Sequence, residues 1–218
     1  MDNEEILRKT EEYVKKEMYD EPTGHDWFHV KRVLDNALKI AEKEGGNLFI
    51  IKMSALLHDI GDPKLHNNDE TATKRIVGNW LDKMKLKEKD AEEIMHIVEN
   101  LSFSKSLKNQ NINKTKEFMI VQDADRLDAI GAIAIARVFA YGGATKKAIY
   151  NPEIKPKKLN YENYKGGSRD SFSHFYEKIL LLKDMLNTQT ARKIGKKRHE
   201  FLEDYLKQFL KEWEGKDF

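Results

Sequence analysis

Apolar residues recur along this chain at the three- and four-residue spacings of helices, and no persuasive strand-like alternation stands out. Leu7, Val14 and Met18 mark a first stripe. Val30, Val33, Ala37 and Ile40 mark a second, closed near Gly45–Gly46, a glycine stop signal. Leu48 to Leu57 is apolar almost throughout and predicts a buried third helix ending around Gly61 and Pro63. Ala72, Ile76, Trp80 and Met84 predict a fourth, with Asn67–Asp69 as cap candidates, and Ala91, Ile94, Val98 and Leu101 a fifth. From Lys116 to Tyr141 the chain reads as helical and becomes unusually apolar after Asp128, the mark of a central element, with Gly142–Gly143 as its stop. Two later stripes follow: Phe175, Ile179, Leu182 and Leu186, then Ile194, Phe201, Tyr205 and Phe209. Between these blocks, residues 144–168 carry Pro152, Pro156 and Gly166–Gly167 and are basic and weakly periodic. Such a stretch reads as a long loop, a lid or binding loop as readily as a surface excursion. The expectation is an all-α, multi-helix single domain over residues 1–218. Its core spans about 22–142, its loop 144–168, and its C-terminal helices, 169–214, pack on the core.

Composition narrows the chemistry more than the fold. With 218 residues the chain can bury one sizeable core. Basic and acidic residues nearly cancel, 39 against 37, so net charge gives no reason to expect nucleic acid or a membrane surface as a partner. There is no cysteine, which excludes disulfides, thiolate nucleophiles and zinc–thiolate sites. A metal would have to be held by His, Asp, Glu or backbone oxygen. The N-terminal stretch MDNEEILRKTEEYVKKE is charged and amphipathic, without the apolar segment of a signal peptide. No apolar run approaches the roughly 18 residues of a membrane span. The expectation is a cytoplasmic protein.

Three segments carry candidate chemistry. In LLHDIGD, residues 56–62, His58 and Asp59 follow a run of buried apolar residues. An adjacent imidazole and carboxylate there need partners, because an unpaired buried charge is expensive. A divalent cation satisfies both; so does a simple helix cap. In GHDWFHVKRV, residues 24–33, His29 opens the second helix, with His25 and Asp26 one turn earlier. In VQDADRLDAIGAIAIARV, residues 121–138, aspartates fall at 123, 125 and 128. Asp125 and Asp128 share a helix face, and Asp123 points elsewhere. Any one of these carboxylates can complete a metal shell while the others orient a histidine.

Taken together and in this order, His29, His58–Asp59 and Asp125 in its Ala-Asp-Arg-Leu setting resemble the signature of the HD-domain metal-dependent phosphohydrolase superfamily. The strings HDWFHVKRV, LLHDIGDPK, LSFSKS, QDADRLDAIGAIAIARVFAYGG and GGSRDSFSHFYEKILLLKDMLNTQTAR resemble a subgroup of small bacterial and archaeal HD hydrolases over essentially the whole chain. The resemblance implies an all-α fold with one central divalent ion (Mn, Ni, Co, Fe, Mg or Zn). Its ligands would be His29, His58, Asp59 and Asp125, with Asp123 the alternative to Asp125. It implies a phosphohydrolase acting on a nucleotide or related small phosphate ester or anhydride. Asp62, one turn beyond Asp59, would be the general acid or base. Lys64 and Arg32 are candidates for phosphate oxygens. His174 and Lys178, four apart, are substrate-side candidates.

His96 lies among Glu92, Glu93, Glu99 and Asn100, a polar face that reads as surface, so a single-metal site is expected. His66 reads as loop surface and His199 as structural or exposed. The competing functions are a cyclic-nucleotide phosphodiesterase and a non-catalytic metal- or ligand-binding regulator. The phosphodiesterases in the superfamily often carry a second metal with extra histidines, which this sequence does not clearly offer. A nucleic-acid module rests only on the basic clusters Lys155–Lys158 and Lys193–Arg198 and is the weakest reading. A homodimer is compatible with the sequence, which identifies no interface.

Overall fold

The computed structural model describes residues 1–21, 24–108, 111–156 and 170–217, apart from the side chain of Lys64. Among them the regular structure is helical. The one β-type pairing is an isolated bridge between Ala148 and Asp170. The chain divides into two compact units, Met1–Asp125 and Arg126–Phe218.

In the first unit, α1 (Asn3–Met18), α2 (Trp27–Glu44), α3 (Leu48–Leu57), α4 (Ala72–Met84), α5 (Glu88–Asn100) and the short α6 (Phe103–Lys108) precede α7 (Lys116–Asp128), whose last turn crosses into the second unit. Helix α3 is the hub and packs on α1, α2 and α5. Ile50, Ile51, Met53, Ala55 and Leu57 are fully buried, which is why this helix is apolar all round rather than striped. Each of the larger side chains, Ile50, Ile51, Met53 and Leu57, contributes about 1.5–3 kcal/mol by leaving water. Asn47 caps α3 by accepting from the N–H groups of Phe49 and Ile50, and its own N–H donates to Glu117 on α7 at 2.7 Å. Helix α7 is buried on nearly every side: Phe118, Ile120, Val121, Gln122, Asp123, Ala124 and Leu127 are all inaccessible.

The second unit holds α8 (Ala132–Ala144), α9 (Ser173–Glu177), a 3₁₀ helix (Ile179–Met185) and the long α10 (Gln189–Trp213). Helix α10 packs on α8 and on the 3₁₀ helix. An aromatic cluster of Phe139, Tyr150, Phe172, Phe175, Phe209 and Trp213 fills the space among them.

The pattern differs from expectation at several points. The helix expected over Lys116–Tyr141 is two helices. The break comes at residues 129–131, where Gly131 takes a φ of 97°, a conformation costly for any residue with a Cβ. Gly142–Gly143 do not stop α8 but lie in its last turn. A Cβ on Gly142 would fall 2.0 Å from Ser171 Oγ, so glycine serves close packing there. Asn67–Asp69 do not supply the α4 N-cap, which is Thr71. Asp69 instead accepts from the Thr71 N–H and hydroxyl and pairs with Arg75. On α10 the buried face is Ala191, Gly195, His199, Leu202 and Leu206, and Phe201 is exposed. Of the expected 144–168 loop, residues 157–168 lie outside the described residues, including the Gly166–Gly167 pair.

Candidate metal centre

The site is assembled by the start of α2, the end of α3 and the last residues of α7 within the first unit. Asp26 is the α2 N-cap. Its side chain accepts from the His29 N–H at 2.8 Å, which fixes the first turn and sends His29 to the same buried side as Val30 and Val33. His58 follows the last residue of α3. Its Nδ1 donates to the Ala55 carbonyl at 2.9 Å; a carbonyl only accepts, so Nδ1 carries the proton and Nε2 faces the site. Both imidazoles are fully shielded from solvent.

Four donor side chains converge there. His58 Nε2 lies 3.2 Å from His29 Nε2. Asp59 Oδ2 lies 3.2 Å from His29 Nε2 and 3.4 Å from His58 Nε2. Asp125 Oδ1 lies 3.6 Å and 4.0 Å from the same two nitrogens. Two overlapping sets, His29–His58–Asp125 and His25–His29–Asp59, each have donor atoms within 4.8 Å of one another. The donor chemistry fits a divalent cation. Two imidazole Nε2 atoms 3.2 Å apart need a proton or a cation between them. Two carboxylates with two neutral imidazoles sum to a charge of −2. Imidazole nitrogen with carboxylate oxygen suits borderline and hard divalent metals.

The electrostatics without a metal express the same demand. Burial alone would push the His58 imidazole toward its neutral form, yet the Asp59 carboxylate beside it, then Asp125, raise it to about 9. Burial likewise pushes the Asp59 carboxyl up. The positive charge of His58 and of His25, with hydrogen bonds from His25 and His29, overcomes this and holds it well below the usual carboxylate range.

The three aspartates of α7 separate by environment. Asp125 is the one beside the histidines. Asp123 is fully buried, and Asp128 accepts from Arg137 at 2.9 Å within the second unit. Asp62 sits half-buried in the turn after α3. Its N–H donates to the Asp59 carbonyl at 2.9 Å and its own carbonyl accepts from Leu65. Gly61, just before it, comes so close to α4 that a Cβ would meet Thr73 Cα at 2.5 Å. Its carbonyl accepts the Thr73 hydroxyl at 2.7 Å, which ties this turn to α4. Arg32 lies on α2 one turn after His29 and is half-buried. The Lys64 side chain lies outside the described residues.

His174 and Lys178 belong to the second unit. Lys178 is the α9 C-cap, and its N–H donates to the His174 carbonyl at 3.0 Å. Neither belongs to the donor sets around His29. His96 is half-buried rather than an open surface group. Its Nε2 donates to the Asn113 carbonyl at 2.7 Å and its ring lies against Phe118. His66 donates to the Ile60 carbonyl at 2.8 Å. The residue that sequence reasoning left without a role is His25, whose Nδ1 stands 2.9 Å from Asp59 Oδ2. Its i, i+4 relation to His29 was the available signal. It precedes the N-cap, however, where helical periodicity no longer says which way a side chain points.

A helical fold that gathers two histidines and two aspartates from α2, α7 and the turn after α3 defines a class, and comparison with known proteins identifies it. The HD domain family model matches residues 27–130. The chain is 37% identical to the uncharacterized protein YpgQ of Bacillus subtilis over 205 residues, 94% of this chain and 92% of YpgQ. A crystal structure from Lactobacillus plantarum superposes with a TM-score of 0.87 at 33% identity, covering 99% of this chain and all of the other. An HD-superfamily hydrolase from Bacillus thuringiensis does so with a TM-score of 0.74 at 40% identity, covering 98% and 99% of the two chains. YpgQ itself has been solved in complex with ADP, at a TM-score of 0.74 and 36% identity over 97% of this chain and 100% of YpgQ. The chain belongs to the HD-domain superfamily of metal-dependent phosphohydrolases.

Proposed function

We propose that this protein is a metal-dependent phosphohydrolase whose substrate is a nucleotide, with one divalent ion held by His29, His58, Asp59 and Asp125. The observation that carries this reading is the convergence of those four side chains, with separations of 3.2–4.0 Å about the two imidazole Nε2 atoms. A bound ion would supply Lewis-acid polarisation of a phosphate oxygen and a more acidic water. The protein's own groups do the rest. The Ala55 carbonyl fixes the His58 tautomer, and the apolar residues of α3 keep bulk water from the imidazoles. Asp62 stands one turn beyond Asp59, half-buried in the turn that the Gly61–Thr73 contact ties to α4. In this reading it would carry a proton to or from the oxygen of the scissile bond. Arg32, on α2 beyond His29, offers a fixed charge for a non-bridging phosphate oxygen. The ADP complex of YpgQ supports a nucleotide as the substrate class.

The test is a panel of nucleoside di- and triphosphates, with a cyclic nucleotide for comparison, assayed with Mn, Mg, Ni or Co while phosphate and pyrophosphate are measured separately. Metal-dependent release from a linear nucleotide, lost in His58→Ala and sharply reduced in Asp62→Asn, is expected. A protein that binds metal tightly and turns over none of the panel would instead be a binding or regulatory member of the superfamily. Turnover of the cyclic nucleotide alone would make it a phosphodiesterase.

A further inference from the structure

His25 contacts the site without belonging to the proposed ligand set. Its backbone is held at the entrance to α2. Gly24 precedes it with a φ of 82°, its N–H donates to Glu21 Oε2 at 3.2 Å, and the α2 N-cap Asp26 follows. The His25 Nδ1 reaches Asp59 Oδ2 at 2.9 Å, shorter than the 3.2 Å and 3.4 Å from that oxygen to His29 and His58. A carboxylate only accepts, so His25 Nδ1 is the donor.

Asp59 needs such a partner. It lies past the end of α3, in the turn over residues 58–61. His58 has the Ala55 carbonyl to orient it, and His29 has the rigid first turn of α2. Among the described residues, the partner of the Asp59 carboxylate outside the proposed ligand set is His25. The His25 ring is 29% exposed where the His29 and His58 rings are fully covered, so it sits at the rim rather than at the centre.

We infer that His25 is a positioning residue that holds the Asp59 carboxylate in its metal-binding orientation through Nδ1–H···Oδ2, and is not itself a ligand. The inference rests on the metal site proposed above. A hydrogen bond to a ligating carboxylate of this kind changes metal affinity by about 10–100-fold.

The experiment is titration of Mn²⁺ into the metal-free full-length protein, followed by calorimetry and by the Mn²⁺ electron paramagnetic resonance signal. Wild type, His25→Ala, His25→Asn and His25→Gln are compared, with thermal unfolding of each metal-free protein alongside. One ion per chain is expected in all four. His25→Ala should bind about 10–100-fold more weakly. His25→Asn, whose amide N–H can take the place of Nδ1–H, should recover most of the loss. His25→Gln, with its amide one bond farther out, should not. A general loss of fold would affect Asn and Gln alike, so their separation is the signature of positioning. Wild-type affinity in His25→Ala would overturn the inference while leaving the metal site standing. Two ions in wild type and one in His25→Ala would overturn it by making His25 a ligand. A wild type that binds no Mn²⁺ would overturn the metal site and this inference together.

Discussion

Two buried histidines, His58 in the first unit and His199 in the second, start from similar circumstances. Both lie at or within helices, and both are almost inaccessible. Around His58, one nitrogen is satisfied by the Ala55 carbonyl, and the other faces the His29 imidazole of α2, the Asp59 carboxylate of its own turn and the Asp125 carboxylate of α7. Around His199, Nε2 is 3.4 Å from Glu203 on its own helix, and Nδ1 has no hydrogen-bond partner among the described residues. Burial of a histidine is therefore not what makes a site. What separates the two is convergence: several charged donors aimed at one point, a costly arrangement unless a cation completes it.

The largest effect should come from breaking that convergence. His58→Ala or Asp125→Asn should weaken divalent metal binding by more than the roughly 100-fold seen when only an outer-shell partner is lost. His199→Ala should leave it unchanged; metal content after reconstitution and dialysis reads both. Next is the support under the site. Leu57→Ala removes a fully buried side chain from α3 beside His58 and should cost about 2–5 kcal/mol in urea unfolding.

A third prediction concerns pH. His58 is raised from 6.5 to about 9 in the folded, metal-free protein, so its contribution to stability is full below pH 6.5 and is lost as pH rises toward 9. Asp59 is lowered, so its contribution is present above about pH 3.8 and is lost on acidification. With chelator present, the unfolding temperature should therefore decline between pH 6.5 and 9. Metal should reverse the trend, because binding displaces the His58 proton and becomes easier as pH rises. A chelated protein whose stability is flat over that window would contradict the charge arrangement described around His58. The smallest effect belongs to the other histidine. His199→Leu removes an unpaired buried nitrogen and should leave stability unchanged or raise it by about 1 kcal/mol.

How much of this was legible follows from what periodicity can encode. Helices α1 to α5 were readable because their buried residues fall on one face, or, for α3, on all faces. The break between α7 and α8 was not, because apolar residues continue through it and only Gly131, in a left-handed conformation, marks it. On α10 the bulky residues misled. Gly195 packs so close to Leu186 that a Cβ there would fall 2.3 Å from Leu186 Cδ1, while Phe209 stacks on Phe172 and Trp213 and Tyr150 meets Trp213 edge-on. In the site, His29, His58 and Asp59 stood out as polar residues at the margins of apolar helices. Asp125 and Asp123 were separated in sequence only by a family resemblance; in three dimensions they separate by what lies across from each. His25 stayed hidden because its partner is 34 residues away, a relation no local pattern carries.

The central claim is that His29, His58, Asp59 and Asp125 hold one ion. The most direct measurement is a crystal structure grown with Mn²⁺ and recorded at an energy where manganese scatters anomalously. A single strong anomalous peak is expected within bonding distance of both imidazole Nε2 atoms and both carboxylates, with His25 outside the shell. No peak at that position, or one bound by His25 in place of His58, would contradict it.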